Sequence, residues 1–600
     1  MGEKDGGRYP LTGVGDVNTY ALFAETILQI TAGPGRSGFI VPTGIATDDT
    51  TKNYFAHIAQ AGRLVSLLAY ENEEFIFRDV HHAFRFCMLT LGQADAARFV
   101  FFARQAAQIH DPRRQFALTP EEFRLLNPNT LTCPIFRSAR DAELTKKLYR
   151  AAPVLMRDGA GAANNGNPWG ISFMRMLDMA NDSHLFRDAP APDRLPLYEA
   201  KLIHHFDHRW ATYTPEGDTR EMTPQEKCNP DATVTPRYWV AQREVWLKVT
   251  TLPEGLRKAL EMRDASAIEL CVTQLLFGWW LADQPDVPVY PAWQLFVEQH
   301  PYATKVAPTS LGLCGDSPPS MKPLNDNYLP AEGSFEVFMS NERSSTAWYA
   351  VDPVAWERVL EFTARHRDKL PLPDSGLAER SDVLALAERW LEASCPKWLM
   401  GWRDITGAEK VRTLIASVIP LAGVGDKFLL LWPKTEPRLA AVFLGSLNSL
   451  VCDYIARQKV GGTSFKYFTM KQIAVLPPER YGDAELDFLV PRVLELIYTA
   501  NDLAPWAAAL GYEGPPFPFD PARRAQLRAE LDAYYARLYG LNREELHYIL
   551  DPADVMGPDY PTETFRVLKQ REMNTKGVGE YLTRRLVLEA FDRLQAGTLH

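Results

Sequence analysis

Several features that define common protein classes are missing from this 600-residue chain. No apolar run approaches the roughly 20 residues of a membrane-spanning helix, and the N-terminal stretch MGEKDGGRYPLTGVGD contains no apolar signal core. No CxxC pair occurs, so the cysteines indicate a reducing compartment and exclude a zinc or disulfide framework. The seven cysteines are scattered over Cys87, Cys133, Cys228, Cys271, Cys314, Cys395 and Cys452. We therefore expect a cytoplasmic protein without a membrane partner.

Excess positive charge and the short catalytic motifs are missing as well. The 65 basic and 75 acidic residues give a net charge of −10, which argues against indiscriminate nucleic-acid binding but leaves room for a local basic groove. The P-loop, GxSxG and HExxH motifs do not occur. What is present is an ordinary globular composition, 46% hydrophobic and 23% charged, in a chain long enough for about two to four domains.

The N-terminal region alternates helix and strand signals. Apolar spacing over 17–32 predicts a helix, the stretch ending at Pro42 predicts a strand, and two further strands are expected at 64–72 and 83–91. Such alternation is typical of an α/β sheet. The stretch GPGRSG at 33–38 matches GxGxxG, but a helix precedes it and a strand follows, so it is interpreted as a turn.

Farther along the chain, composition indicates domain borders. Glycine, asparagine and proline concentrate between about 155 and 195, which predicts a boundary there. Short strands, proline-rich loops and helices, including 351–368 and 377–394, follow up to about 480. Helical patterns then dominate, at 484–501, 521–538, 543–550 and 579–595. We predict domains at 1–155, 156–480 and 481–600.

Two clusters invite a functional interpretation that their surroundings do not favour. HHFDHR at 204–209 could suggest a metal site, but no second ligand group accompanies it, and a structural histidine group is the preferred interpretation. Asn167 to Trp169 gives NPW, whereas amino-methyltransferases use Asn/Asp/Ser-Pro-Pro-aromatic, so it is not that catalytic motif.

The segment 448–478, NSLVCDYIARQKVGGTSFKYFTMKQIAVLPP, is the most informative in the chain. An amphipathic helix leads to a basic turn and the pair Gly461-Gly462, a combination that suits contact with a phosphate backbone. The alternative is a helix–loop–strand on a solvated face.

This segment, with others in collinear order, resembles the C-terminal portion of type IIG restriction–modification DNA adenine-N6 methyltransferases. The other matching segments are RYPLTGVGDVNTYALFAE (8–25), GRSGFIVPTGIATDDTTKNYF (35–55), the strands within 64–91, 126–149, 197–213, 235–240, 402–406, 412–420, 564–572 and 579–594. The resemblance implies the second half of a Rossmann-like methyltransferase sheet, an α+β target recognition domain and a helical C-terminal region. It also implies S-adenosylmethionine as cofactor and double-stranded DNA as partner.

The chain departs from the family in one respect. The family's cofactor-binding glycine motif and its Asn-Pro-Pro-aromatic motif would lie before Arg8, and neither occurs in this sequence. We expect a split subunit, a truncated product or a fragment, with the cofactor bound mainly by a missing upstream portion. An upstream methyltransferase polypeptide or other defence-system subunits are the expected partners. Half a parallel sheet would also leave an unpaired strand edge for a partner to cover.

Site residues carry over by resemblance, residue by residue. Phe77, in FRDV, would lie near the flipped adenine, with a core phenylalanine at a strand edge as the alternative. Asn18, Tyr20 and Phe23 would complete the cofactor pocket. Pro42, with Thr43 after it, would end a strand at the carboxyl edge of the sheet, where ligands bind in α/β folds. The DNA-backbone candidates are Arg457, Lys459, Thr463, Ser464 and Lys466.

The function expected on these grounds is DNA recognition, together with part of the catalytic pocket, for a site-specific adenine methyltransferase of a restriction–modification or phage-defence system. The alternative is a non-catalytic DNA-specificity subunit of a defence complex, which the missing catalytic motifs favour. The retained part of the catalytic sheet favours the split enzyme.

Overall fold

The computed structural model describes most of the chain and divides it into two compact units. Unit 1 comprises Met1–Ser183, Leu197–Arg237 and Trp398–His600, and unit 2 comprises His184–Pro196 and Tyr238–Lys397. The domain borders predicted at 155 and 480 differ from the borders of these two units, and that domain division stays a prediction. The described residues are 7–13, 15, 17–159, 166–283, 289–306, 359, 362–364, 366, 369–373, 375–460, 462–575 and 579–599.

Unit 1 begins with a five-stranded sheet and its flanking helices. In chain order these are α1 (Thr19–Ile30), β1 (Ser37–Pro42), α2 (Gly44–Thr47), α3 (Lys52–Gln60), β2 (Leu64–Glu71), β3 (Arg85–Leu91), β4 (Ala97–Ala103), β5 (Phe116–Leu118), α4 (Pro120–Leu126) and α5 (Ala139–Ala151). The sheet order is β1-β3-β2-β4-β5. The predicted α/β class is confirmed. Residues 33–36 of GPGRSG form the turn between α1 and β1, and its last two residues begin β1.

The strand directions differ from the parallel sheet that the sequence predicts. β3 runs antiparallel to both β1 and β2, so β1 and β2 run in the same direction with a reversed strand between them. β2 pairs in parallel with β4, and β4 pairs antiparallel with β5. The sheet is therefore mixed, because β3 follows β2 through a short connection that reverses the chain.

One face of this sheet forms core, and the other is partly uncovered at the β1 edge. Leu67, Leu89 and Phe99 are fully buried on the core face. On the opposite face, Ile40 and Met88 are cross-strand partners and are 54% and 41% exposed. Among the described residues β1 pairs with β3 alone. β1 is thus an edge strand of the described sheet, and it carries exposed apolar side chains.

Short strands and helices build the rest of unit 1. The elements up to the start of the helical region are β6 (Ser172–Met174), β7 (Arg194–Tyr198, of which Leu197 and Tyr198 belong to this unit), β8 (Ala211–Tyr213), β9 (Thr219–Glu221), α6 (Pro224–Lys227), β11 (Trp398–Arg403), β12 (Ala416–Pro420), β13 (Gly423–Val424) and β14 (Phe428–Trp432). A four-stranded sheet has the order β12-β11-β14-β6, and β8 pairs with β9.

The C-terminal part of unit 1 is helical, as predicted. Its helices are α12 (Pro437–Asn448), α13 (Leu450–Arg457), α14 (Tyr467–Lys471), α15 (Asp483–Ile497), α16 (Ala504–Ala509), α17 (Pro521–Leu538), α18 (Arg543–Leu550), α19 (Pro552–Met556), α20 (Arg566–Asn574) and α21 (Leu582–Gln595). No single described helix is long and apolar enough to cross a membrane. Only α12 and α13 taken together, bent by 54°, reach that length and composition, and their apolar side chains lie in the core.

Unit 2 is a helical unit with an aromatic core. Its elements are β10 (Trp239–Ala241), α7 (Gln242–Val249), α8 (Glu254–Met262), α9 (Ala265–Asp283), α10 (Val289–Gln299) and α11 (Arg380–Ala393). Trp279 and Trp390 meet edge to face with centroids 5.2 Å apart. α11 matches the helix predicted at 377–394, whereas the helix predicted at 351–368 lies largely outside the described residues.

Candidate functional site

The carboxyl ends of β1 and β2 lie at the same edge of the sheet, because the two strands are parallel. β1 ends at Pro42 and β2 ends at Glu71. Ligands of α/β proteins bind at such an edge, where loops leave the strands. Two groups of predicted site residues lie in the sequence around these strand ends.

A small polar group surrounds Gly44, just after β1. A Cβ atom at Gly44 would lie 3.4 Å from the Tyr20 hydroxyl and would overlap the Asp48 carboxylate. The hydroxyl of Thr43 is buried and has no hydrogen-bond partner among the described residues. Burial raises the pKa of Asp48 above its ordinary value, and burial followed by the charge of Asp48 raises the pKa of Tyr20. A side chain at position 44 would displace the Asp48 carboxylate, which packs with the Tyr20 phenol beside the Gly44 backbone.

The other two cofactor-pocket candidates have different surroundings. The side chain of Asn18 accepts a hydrogen bond from the Tyr20 N–H at 3.4 Å and caps the N-terminus of α1, a role that asparagine commonly fills. Phe23 is 67% exposed on α1. The structure thus places Tyr20 beside the end of β1, gives Asn18 a local capping role and leaves Phe23 at the surface.

Phe77 lies in the loop that follows β2, and the fully buried side chain of Asn72 organises that loop. The Asn72 amide oxygen accepts the Phe77 N–H at 2.9 Å, and its amide nitrogen donates to the carbonyls of Phe77 at 2.9 Å and Val80 at 2.7 Å. Three hydrogen bonds from one buried side chain hold the backbone of Phe77 in a defined position. The Phe77 side chain itself is 39% exposed.

The ring of Phe77 belongs to an aromatic series. It meets Phe86 edge to face at 4.8 Å, and Phe86 stacks on Tyr70 at 5.3 Å with an interplanar angle of 7°. Phe86 fixes the ring of Phe77 while part of that ring stays open to solvent. An exposed aromatic ring in a fixed position is suited to stacking against a planar ligand such as a base.

Arg457 is not available for a phosphate backbone, which corrects the prediction for this residue. Its side chain is 7% exposed. All five of its N–H groups have acceptors: Nε bonds the Asp453 carboxylate at 3.1 Å, Nη1 bonds the carbonyls of Ala408 and Thr564, and Nη2 bonds those of Lys410 and Val411. Arg457 therefore ties three chain segments together inside the protein.

Lys459 is also committed internally, so the prediction is corrected here too. Its ammonium group donates to the carbonyl of Leu126 and the side-chain oxygen of Asn127, and it lies 4.6 Å from the centre of the Tyr149 ring. Burial lowers the pKa of Lys459 well below its ordinary value. A buried amine that already has two acceptors is a structural residue.

The remaining DNA-backbone candidates lie at or near the surface. Thr463 and Lys466 are exposed, and Ser464 is partly exposed. The carbonyl of Thr463 accepts the Thr406 N–H at 3.0 Å, which joins this loop to the end of β11. Gly461 lies outside the described residues. Three of the five candidates thus remain accessible to a ligand.

The second half of the histidine-rich stretch, residues 207–209, is a structural network. His208 bonds Asp502 at 2.9 Å, and Asp207 pairs with Lys227 at 2.6 Å. Arg209 is fully buried and donates to main-chain carbonyls. No group of three or more His, Cys, Asp or Glu residues suited to a metal ion occurs in the described part of the chain.

Sequence inspection did not assign a site role to two residues of this edge. These residues are Asp48 and Asn72. An asparagine directly after an apolar strand, five residues before Phe77, is a usable signal because asparagine side chains bond nearby backbone groups. Thr43 is predicted from its place after the strand end at Pro42, whereas the carboxylate of Asp48 leaves no comparable signal.

Comparison with known proteins adds a distant structural likeness. No protein-family profile matches the chain, and no curated protein matches it. Among solved structures, that of the type IIG restriction endonuclease BpuSI is similar at 10% sequence identity and a TM-score of 0.22, covering 83% of this chain and 49% of that chain. The chain thus spans about half the length of that protein. A likeness this distant does not establish an activity or a partner.

Proposed function

We propose that this chain supplies DNA recognition and part of the catalytic pocket of a site-specific DNA adenine-N6 methyltransferase in a bacterial restriction–modification or phage-defence system. The single observation that carries the proposal is Phe77, a partly exposed aromatic ring that Asn72 and Phe86 hold near the carboxyl edge of an α/β sheet. Enzymes that modify a base take it out of the duplex and stack it between aromatic or apolar side chains. Phe77 is the residue proposed to stack on the flipped adenine.

S-adenosylmethionine would supply the methyl group in this reaction. In this chain, the hydroxyls of Tyr20 and Thr43 and the carboxylate of Asp48 offer polar contacts at the end of β1. The sequence contains no glycine-rich turn between a strand and a helix, so these groups alone do not fit the whole cofactor. A second polypeptide is proposed to supply the remaining contacts and the Asn-Pro-Pro-aromatic motif. The open edge of β1 supports such an association.

The loop after α13 is proposed to contact the DNA backbone through Thr463, Ser464 and Lys466. Their hydroxyl and ammonium groups are types that bind phosphate oxygens. Arg457 and Lys459 support this loop from inside. The Arg457 side chain bonds Asp453 within α13, and the Lys459 side chain bonds Leu126 and Asn127 at the end of α4. The residues that read bases stay unassigned.

The test is tritiated-methyl transfer from S-adenosylmethionine to mixed-sequence duplex DNA. The chain is assayed alone and with the polypeptide encoded directly upstream, and activity is expected only with the partner. Phe77→Ala should then lower the transfer about 5- to 150-fold, since base stacking contributes roughly 1–3 kcal/mol. Phe84→Ala, in the same exposed loop, is the matched control and should keep the activity. Equal losses in the two variants would refute the assigned role of Phe77.

A non-catalytic DNA-specificity subunit is the second candidate. The observation that favours it is the absence of the glycine motif and the Asn-Pro-Pro-aromatic motif from the sequence. The same assay separates the two functions. No methyl transfer with or without the partner, together with retention of duplex DNA by the chain, would support the specificity subunit and exclude the split enzyme.

A further inference from the structure

A pair of histidines in unit 1 lies between two guanidinium groups. His204 and His205 are in contact through their rings. Nη1 of Arg403 donates to the carbonyl just before the pair at 3.4 Å, and Nη2 of Arg524 donates to the carbonyl just after it at 2.9 Å. The two arginines come from β11 and α17, so the tertiary fold brings them to the histidine turn from separate elements.

α17 carries a third arginine between two fixed positions. Arg524, Arg528 and Asp532 are spaced four residues apart and share one face of the helix. Arg524 holds the histidine turn, while Asp532 accepts the Leu450 N–H at 2.7 Å and lies 3.9 Å from Arg412. Arg528 lies one helical turn from Arg524 and one turn from Asp532 on that face. We call His204, His205, Arg403, Arg412, Arg524 and Arg528 the basic cluster.

Positive charge in the basic cluster is not fully compensated. Arg528 forms no hydrogen bond or ion pair with any residue that the structure describes. Burial, followed by the charges of Arg524 and Arg412, lowers the pKa of Arg528 to about 10, while Asp532 and Glu572 act in the opposite direction. The Nε of Arg403 is buried without a partner among the described residues. Arg528 is half-buried, so its guanidinium is open to an incoming anion, and an anion there would also lie near the buried Nε of Arg403.

The same buried and positively charged surroundings lower the pKa values of the two histidines. Burial and the charges of Arg403, Arg412 and Arg528 lower the pKa of His204 to about 3, against the opposing charge of Asp207. Burial also lowers the pKa of His205. Both imidazoles are therefore neutral near pH 7. One of their two N–H groups is used in the contact between the Nδ1 atoms, and the other can be donated to an anion. Asp207 itself is paired with Lys227 and adds no free negative charge to the cluster.

We infer that the basic cluster binds a phosphate group of a nucleic-acid backbone, with Arg528 as its main ligand. Planar guanidinium groups bind phosphate oxygens through paired N–H donors, and neutral imidazoles add single donors. The inference rests on the proposed DNA-binding function and adds to it a backbone contact distant in sequence from the loop at 463–466. A free phosphate offers the same chemistry, so the experiment has to separate the two sources.

The first part of the experiment uses inorganic phosphate and the full chain, and it is independent of DNA. Phosphate titration should produce saturable chemical-shift changes of the His204 and His205 imidazoles in NMR spectra. Arg528→Gln should abolish these changes and Arg528→Lys should retain them in part. Arg523→Gln is the matched control, because Arg523 lies on the same helix, is exposed and pairs with Glu495 at 2.8 Å. Absence of any saturable shift in the native chain would overturn the site.

The second part measures duplex-DNA binding as a function of salt concentration. Arg528→Gln should weaken binding about tenfold at low salt and reduce the magnitude of the slope of log K against log salt by about 1. Arg523→Gln should leave both unchanged. Phosphate binding together with an unchanged DNA slope would overturn the nucleic-acid source and assign the cluster to a free phosphate group. A native chain that binds phosphate but no DNA would refute the proposed function separately.

Discussion

Replacing Arg457 by methionine tests whether this residue is structural or contacts DNA. The substitution keeps an apolar side chain of similar length but removes all five N–H donors. The Asp453 carboxylate, which has no exposed surface, would lose its partner cation. Four main-chain carbonyls in the segments 408–411 and 564 would lose their donor. The ring of Phe565, 4.7 Å from the guanidinium carbon, would lose a cation contact as well.

The expected magnitude follows from the burial of this pair. Removing one partner of a buried ion pair costs about 3–5 kcal/mol, because the other charge stays buried and uncompensated. Asp453 would retain the N–H donors of Thr413 and Leu414, each at 2.7 Å, so the lower half of that range is expected. Arg438→Met is the matched control: Arg438 pairs with Asp487 at the surface at 2.7 Å, and its loss should cost at most about 1 kcal/mol.

Native-state hydrogen exchange of the α13 amides is the suitable assay, since it reports the free energy of opening around this helix without assuming two-state unfolding of both units. Arg457→Met should lower that free energy by about 3 kcal/mol, and Arg457→Lys should recover part of it. The salt dependence of DNA binding should keep its slope. A variant with normal exchange protection but a slope reduced by about 1 would refute the structural role and restore the phosphate contact.

Two further predictions concern charge and the open strand edge. Burial raises the pKa of Asp532 from 3.8 to about 6. The protonated carboxyl therefore stabilises the folded state most below pH 3.8, and this contribution is lost as the pH rises through 6. The shift corresponds to about 3 kcal/mol in the free energy of unfolding. Asp532→Asn should therefore flatten the stability profile between pH 4 and 7 in urea unfolding, and profiles that stay parallel would contradict the raised pKa. Ile40→Lys should reduce self-association of the isolated chain in sedimentation velocity, because Ile40 lies on the edge strand β1 and a charge there opposes pairing with another chain. Asp49→Lys serves as its control, and equal association of both variants with the native chain would exclude the β1 edge as the contact.

Local sequence determined the secondary structure closely. The predicted helices at 521–538 and 543–550 have the bounds of α17 and α18, and β1 and β2 begin and end within a residue of their predicted positions. These elements follow from apolar periodicity, capping residues and turn glycines, all of which act over a few residues. The α/β class followed from their alternation.

Tertiary structure decided which polar residues face a ligand. Arg457 and Lys459 follow an amphipathic helix and have the composition of a phosphate-binding turn, yet acceptors 46 to 107 residues away enclose Arg457. In the sequence, by contrast, Arg528 has the pattern of an ordinary helix residue. In the structure it is a cation without a partner among the described residues. Burial and charge compensation depend on segments that are far apart in the chain, so a local pattern specifies the residue type and only the folded protein specifies its task.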